Sequence, residues 1–250
     1  MLTNWLVPRR EFDNAIVEMI DRPQPVSEEL EADLENLRNL NQFFGSYALV
    51  RYFLRRWFRP GTSVSLIDLC TGFGDIPRFT VDWCRANRVG VQITAVDFQP
   101  ATLELASQRS QDYPEITFVA SDVFEFRRPV PADFLFCSLA LHHFADDRAS
   151  FLLRRTRSMA RSGILIADLE RTDLGIAGIF LLTSLIYRAP MTRYDARVSF
   201  RRAFSFSELR RIALDAGWER FGHRRFPVSR QAIWLEQLNT GQFPARMAIR

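Results

Sequence analysis

The chain has 250 residues, 47% hydrophobic and 25% charged, with 11 Gly, 12 Pro and 22 Phe. This length suits one α/β domain with a small cover, and the composition excludes collagen-like and low-complexity chains. All 33 basic residues are Arg, and the formal net charge is +4. The charge is uneven: residues 61–150 hold 7 Arg against 12 acidic residues, whereas residues 151–230 hold 16 Arg against 7. A basic third could face an acidic ligand or a membrane surface, or form a solvated face. Few aromatic residues interleave with the Arg pairs, so no nucleic-acid partner is expected. Cys70, Cys84 and Cys137 have no metal-ligand spacing and suit reduced thiols in a cytoplasmic protein. Met1–Arg10 lacks a signal-peptide pattern, and the longest apolar run, 174–187, falls short of the ~20 residues a membrane span needs.

Residues 10–58 read as helical. Glu11–Ile20 is one amphipathic stretch, broken by Pro23 and Pro25. Ser27 caps a second helix, with Glu28, Glu29 and Glu31 in its first turns and Leu30, Leu34, Leu37, Leu40 and Phe44 at helical spacing. Gly45 ends it, and Tyr47–Phe58 is a third helix stopped by Pro60-Gly61. Strands then alternate with helices: strand Val64–Leu69, helix Asp75–Ala86, strand Val91–Val96, helix Pro100–Gln108, strand Ile116–Ala120, strand Ala132–Ser138, helix Arg148–Ala160 and strand Ile164–Ala167. That order predicts a parallel sheet covered on both faces. An insertion follows, apolar over Leu174–Tyr187 and basic over Arg188–Arg202. Ser205 or Ser207 caps helix Glu208–Ala216, ended by Gly217, and Phe221–Phe226 with Gln231–Leu235 form an antiparallel pair. The expected fold is a doubly wound seven-stranded α/β sheet, mostly parallel with an antiparallel C-terminal strand. Its parts are a helical lid over 1–60, the main domain over 61–238 with a lid insertion at 171–204, and a frayed tail over 239–250.

Chemistry is expected at the strand ends. Leu66-Ile67-Asp68-Leu69-Cys70-Thr71-Gly72-Phe73-Gly74-Asp75 runs from a buried strand through a glycine turn into a helix. Glycine permits close backbone approach, and the free N–H groups at the helix start favour an anionic or polar ligand. Asp97 closes the second strand, where an acid can bind both hydroxyls of a ribose or cap the helix before Pro100. Asp122 follows the third strand and can accept from an exocyclic amine or cap its loop. A dinucleotide site wants Gly or Ala where Pro77 stands, and Asp75 opposes a pyrophosphate.

Taken together, Asp68 to Asp75, Asp97, Ser121-Asp122, Asp133–Phe144 and Ile164–Glu170 resemble the ordered motifs of class I S-adenosylmethionine-dependent methyltransferases, over about residues 40–236. The resemblance is to the small-molecule branch acting on quinones, phenols and polyketides. It implies S-adenosyl-L-methionine as cofactor and S-adenosyl-L-homocysteine as product. It also implies cofactor contacts from Asp68, Cys70, Thr71, Gly72, Gly74, Asp97, Phe98, Asp122, Val123 and Ser138. Cys70 stands where the family has its first glycine and could crowd the methionine end.

His142 and His143 follow the fourth strand. Either could be a general base, since a phenol with a pKa of about 10 needs help at neutral pH, or could simply pack its loop. Only His223 exists besides them, so no metal site is expected. Acceptor contacts are expected from Phe43, Phe44, Tyr47, Phe180, Tyr187 and Tyr194, with Phe53, Ile179, Leu182 and Leu185 beside them and Arg188, Arg193 and Arg197 available to an acidic group. The expected reaction is O-methylation, ahead of C-methylation, of a hydrophobic small molecule. A nucleotide-dependent oxidoreductase, a non-catalytic binding module and an RNA methyltransferase are the competing readings. The apolar insertion suits a pocket lid, a face of a homodimer or a membrane contact.

Overall fold

The structure is a computed structural model, and it describes residues 8–187 and 189–236. Five strands form its parallel core: β1 (Ser63–Leu69), β2 (Gly90–Asp97), β3 (Ile116–Ala120), β4 (Ala132–Ser138) and β5 (Ala160–Leu169). They are joined by β6 (Gly222–Phe226) and β7 (Arg230–Glu236) in the spatial order β3-β2-β1-β4-β5-β7-β6. β1 pairs in parallel with both β2 and β4, while β7 runs antiparallel to β5 and to β6. The chain winds outward from β1 in one direction and from β4 in the other. That reversal opens a crevice at the carboxyl ends of β1 and β4, where such sheets bind ligands.

Alternate strand residues face opposite layers, the period of two that a strand imposes. Ile67, Leu69, Leu135, Cys137, Ile164 and Ile166 pack with α5 (Asp146–Thr156) and α8 (Phe206–Asp215). Leu66, Phe134, Phe136, Leu165 and Ala167 pack with α2 (Ser46–Trp57) and α3 (Asp75–Ala86). Both faces are buried, which is why the central strands read as nearly continuous apolar runs. α1 (Glu28–Phe43) sets Leu30 and Leu34 against Phe73 of the glycine turn and Leu105 of α4 (Pro100–Gln108). Ser27 caps it by accepting from Leu30 N, with acidic residues in the positive first turn.

The insertion folds into α6 (Asp173–Leu185) and α7 (Pro190–Arg202), joined through Ile179, Ala196 and Phe200 beside Leu169. Ser205 and Glu208 make a reciprocal capping box at the start of α8. Among the described residues no helix is long and apolar enough to cross a membrane.

Two expected elements differ. Glu11–Ile20 is not a helix; among the described residues this stretch carries a 3-10 turn at Met19–Asp21. Its backbone donors are spent on α7 instead: Glu11 N on Arg201 O at 3.2 Å, and Met19 N and Ile20 N on the Asp195 carboxylate at 2.6 and 2.9 Å. The helix expected over Arg148–Ala160 begins two residues earlier, at Asp146, and ends at Thr156. Ala160 instead opens β5 by pairing with Ala132, so sheet pairing overrides the apolar spacing of Met159 and Ala160. The expected tail from Asn239, the first seven residues and Arg188 lie outside the described residues.

Candidate active site

A cavity of about 910 Å³ occupies the crevice. Its floor is the glycine turn. Gly72 and Gly74 have φ of +52° and +68°, the left-handed region that suits glycine. A Cβ on Gly74 would come within 3.0 Å of the Phe118 ring, whereas one on Gly72 would meet nothing within 4 Å. Gly72 thus leaves the floor open to a ligand, while Gly74 lets the turn pack against β3. Cys70 also has a positive φ, +55°, a strain of about 1–3 kcal/mol for a side chain with a Cβ. Its side chain packs toward the core cluster holding Cys137, and contact with the Cys137 thiol, with burial, pushes its pKa up.

Asp97 ties two turns together. Its Oδ2 accepts from Gly72 N at 2.8 Å and its Oδ1 from Gln99 N at 3.0 Å. Burial raises its pKa despite these bonds. A carboxylate has about four lone-pair sites, so accepting capacity remains for a ligand hydroxyl. Asp68 accepts from Thr71 Oγ1 at 2.6 Å through Oδ2, while its Oδ1 is buried without a partner. Burial lifts its pKa to about 7. Ser138 Oγ, at the end of β4, is likewise buried and unpartnered. Asp122 Oδ1 accepts from Phe124 N at 2.7 Å, so this acid caps its own loop. Arg148 lies 3.7 Å above the Phe124 ring.

His142 and His143 line the same cavity from the 3-10 turn Leu141–His143 after β4. His142 Nδ1 lies 2.6 Å from Asp168 Oδ1, and His142 N donates to Asp168 Oδ2 at 2.9 Å. An ionised carboxylate only accepts, so Nδ1 carries a proton and Nε2 is left free of this bond. Burial opposes the Asp168 charge, but His142 holds its pKa below the usual carboxylate range. His143 Nδ1 lies 2.6 Å from Asp21 Oδ2. Burial works against a charged His143, yet Glu18 and Asp21 outweigh it and raise its pKa to about 10. Glu18 is 2% exposed, with Oε1 3.9 Å from His142 Nε2 and Oε2 3.7 Å from His143 Nε2.

Glu18 and Asp21 belong to an irregular strap that crosses the site. Arg10 fastens its start, donating to Arg202 O at 2.6 Å, Phe144 O at 2.8 Å and the Asp146 carboxylate at 2.8 Å. Ser199 Oγ of α7 donates to Glu18 Oε2 at 2.9 Å. The strap and α7 therefore hold the acids over the histidines.

Of the expected cofactor residues, Asp68, Cys70, Thr71, Gly72, Asp97, Phe98, Asp122, Val123 and Ser138 line this cavity, and Gly74 lies just beneath it. His142 and His143 line it too. Among the expected acceptor residues, Phe44, Ile179, Leu182 and Leu185 reach the wall. The others sit elsewhere. Phe43 is 72% exposed, Tyr47 stacks on Phe79 with ring centroids 4.6 Å apart, and Phe53 is fully buried in the core beside α2. Phe180 lies under Arg197 and Arg201, and neither Tyr187 nor Tyr194 is part of the wall. Sequence reasoning missed Glu18, Asp21 and Asp168. Asp168 stood in view at the end of β5, a strand-end acid like Asp97. Glu18 gave no signal beyond the polar face of an apparent helix, and Asp21 stood just past its end.

Residues 69–167 match the methyltransferase domain family. A stretch of 81 residues is 33% identical to 2-phytyl-1,4-naphtoquinone methyltransferase of Thermosynechococcus vestitus, covering 32% of this chain and 34% of that protein. The chain thus matches about a third of the length of this curated relative. The fold matches the plantazolicin methyltransferase BpumL, solved with a monoazolic desmethylPZN analog and SAH, at TM-score 0.61 and 14% identity over 84% of this chain and 90% of that one. It matches human N-acetylserotonin methyltransferase, solved with SAM, at TM-score 0.59 and 20% identity over 84% of this chain and 56% of that one. The family match over residues 69–167 thus lies within a sheet that shares the fold of these solved methyltransferases.

Proposed function

We propose that this chain transfers a methyl group from S-adenosyl-L-methionine to an oxygen of a hydrophobic small molecule of the phenol, quinol or polyketide kind. The observation that carries this reading is a single cavity joining unsatisfied polar atoms on a glycine floor to a carboxylate-braced imidazole in its lining. The floor fits the cofactor. Asp68 Oδ1 and Ser138 Oγ are acceptors left without partners, suited to the ammonium of its amino-acid end. Gly72 leaves room that a side chain would fill, Asp97 keeps accepting capacity for ribose hydroxyls, and Val123 and Phe98 offer apolar surface for a base. The bound cofactor supplies an already activated sulfonium methyl.

The protein's own task is alignment and proton removal. His142, with Nδ1 committed to Asp168, offers Nε2 to the acceptor hydroxyl; the proton moves to Nε2 as the oxygen attacks. Leu174, Ile179, Leu182, Leu185 and Phe200 give the acceptor end an apolar wall that excludes water. The naphthoquinone acceptor named for the curated relative is consistent with that wall. The strap and the α6–α7 insertion act as the cover.

The test is methyl transfer from labelled S-adenosylmethionine to a panel of naphthoquinols, phenols and hydroxylated polyketides. Turnover on at least one hydroxyl is expected, with His142→Ala cutting kcat about 10²-fold or more at unchanged S-adenosylhomocysteine affinity. A variant turning over at the normal rate would return His142 to a structural role.

A further inference from the structure

We infer that Glu18, His142 and His143 form a binding site for one first-row divalent metal ion, of the Zn²⁺ or Fe²⁺ kind, in the wall of the cavity. One ligand atom from each residue lies within 4.8 Å of the others. Glu18 Oε1 lies 3.9 Å from His142 Nε2 and Oε2 lies 3.7 Å from His143 Nε2, against roughly 3.3 Å between tetrahedral ligands at zinc distances, so the three side chains must draw together around the ion.

Three features separate this cluster from an ordinary group of polar side chains. First, Glu18 is buried and its Oε1 has no hydrogen-bond partner; Ser199 and the His143 ring meet only Oε2, so an ion that displaced the His143 ring proton would satisfy the orphaned oxygen as well. Second, both histidines have committed Nδ1 to a carboxylate, His142 to Asp168 and His143 to Asp21, each at 2.6 Å. That is the outer arrangement of metal-bound histidines: it fixes the tautomer, turns Nε2 inward and raises its basicity. Third, the ligands come from two elements pinned together, the strap by Arg10, Asp195 and Ser199, and the histidine turn by Arg10 and Asp168. Two imidazoles and one carboxylate suit first-row ions and not Mg²⁺ or Ca²⁺, which take oxygen ligands.

The three ligands leave coordination positions on the cavity side. An acceptor carrying two neighbouring oxygens, such as a catechol, a hydroxyquinone or a β-hydroxyenone, would fill them. This part rests on the methyltransferase reading. With the ion bound, His142 Nε2 is a ligand and no longer the base: the acceptor hydroxyl loses its proton to water on binding, and its oxygen then forms the new bond to the methyl carbon as the sulfur–carbon bond breaks.

The test is calorimetric titration of chelator-stripped protein with ZnCl₂, and separately with MgCl₂, backed by elemental analysis of protein purified without chelator. We expect one zinc per chain, no saturable magnesium uptake, and loss of the zinc isotherm in Glu18→Gln and His143→Asn. Asp21→Asn, which leaves all three ligands, should weaken zinc about 10–100-fold. Absence of a one-site zinc isotherm in the wild type, or equal zinc affinity in Glu18→Gln and His143→Asn, overturns the inference. S-adenosylhomocysteine titrated into the same stripped protein separates the two claims: if it binds where zinc does not, the metal site fails and the cofactor reading stands.

Discussion

The two halves of the cavity are built differently. The half proposed for the cofactor is local: the ends of β1, β2, β3 and β4 each deliver their residues within a few positions of the strand, and neighbouring strands hold them in register. The half proposed for the acceptor is assembled across the chain. Glu18 and Asp21 on the strap meet His142 and His143, which stand more than 120 residues later, and α7 clamps the strap from later still. A site made by sheet topology carries its own signature along the chain. A site made by covering segments has partners that only the fold brings together.

This contrast sets what each half should lose on substitution. Asp97→Ala should have the largest effect. It removes the bonds to Gly72 N and Gln99 N together with the ribose acceptor. At about 1.5–3 kcal/mol per charged hydrogen bond, S-adenosylhomocysteine affinity should fall at least 100-fold in calorimetry while circular dichroism stays native. Unchanged affinity would remove Asp97 from the cofactor half.

The cover should respond separately. Leu185 is 74% exposed yet lines the cavity mouth. Leu185→Glu places a charge where an apolar acceptor enters and should raise its KM about tenfold. Cofactor affinity and melting temperature should stay put, as for most surface changes. A parallel loss of cofactor affinity would show that the two halves are not separable.

The smallest effect concerns the joint between α1 and α7. Asp33 is fully buried; Thr192 Oγ1 donates to its Oδ1, and Oδ2 has no partner. Burial raises its pKa to about 6, above the ordinary value of 3.8. The folded protein therefore keeps this proton longer than the unfolded chain, and stability is lost as pH rises from about 4 through 6. Asp33→Asn cannot ionise, so its melting temperature should gain on the wild type across that interval. A constant difference between the two would mean that Asp33 is already charged at pH 4.

Much of the parallel sheet was legible in the sequence, because buried strands, glycine turns and proline-opened helices are local statements. β3, β4, α3 and α4 match their expected bounds. The residues expected to hold the cofactor were legible as cavity-lining positions for the same reason, as residues at strand ends. The strap was not. Glu11–Ile20 has helical apolar spacing, but Asp195 takes its amide protons, and no local pattern reports a carboxylate 175 residues away. The aromatic acceptor residues were misplaced because aromatic content signals burial without direction: Phe53 serves the core, whereas Phe44 reaches the cavity. The wall is instead mainly aliphatic, from Leu174, Ile179, Leu182 and Leu185 of α6, with Phe44 and Phe200.

The most direct measurement is calorimetric titration of the wild-type chain with S-adenosylhomocysteine and, separately, with NAD. Asp75 at the helix start and Pro77 in its first turn disfavour a pyrophosphate, while Asp68 Oδ1 and Ser138 Oγ await a donor. The account predicts micromolar one-site binding of S-adenosylhomocysteine and none of NAD. Binding of NAD alone, or of neither ligand, would contradict it.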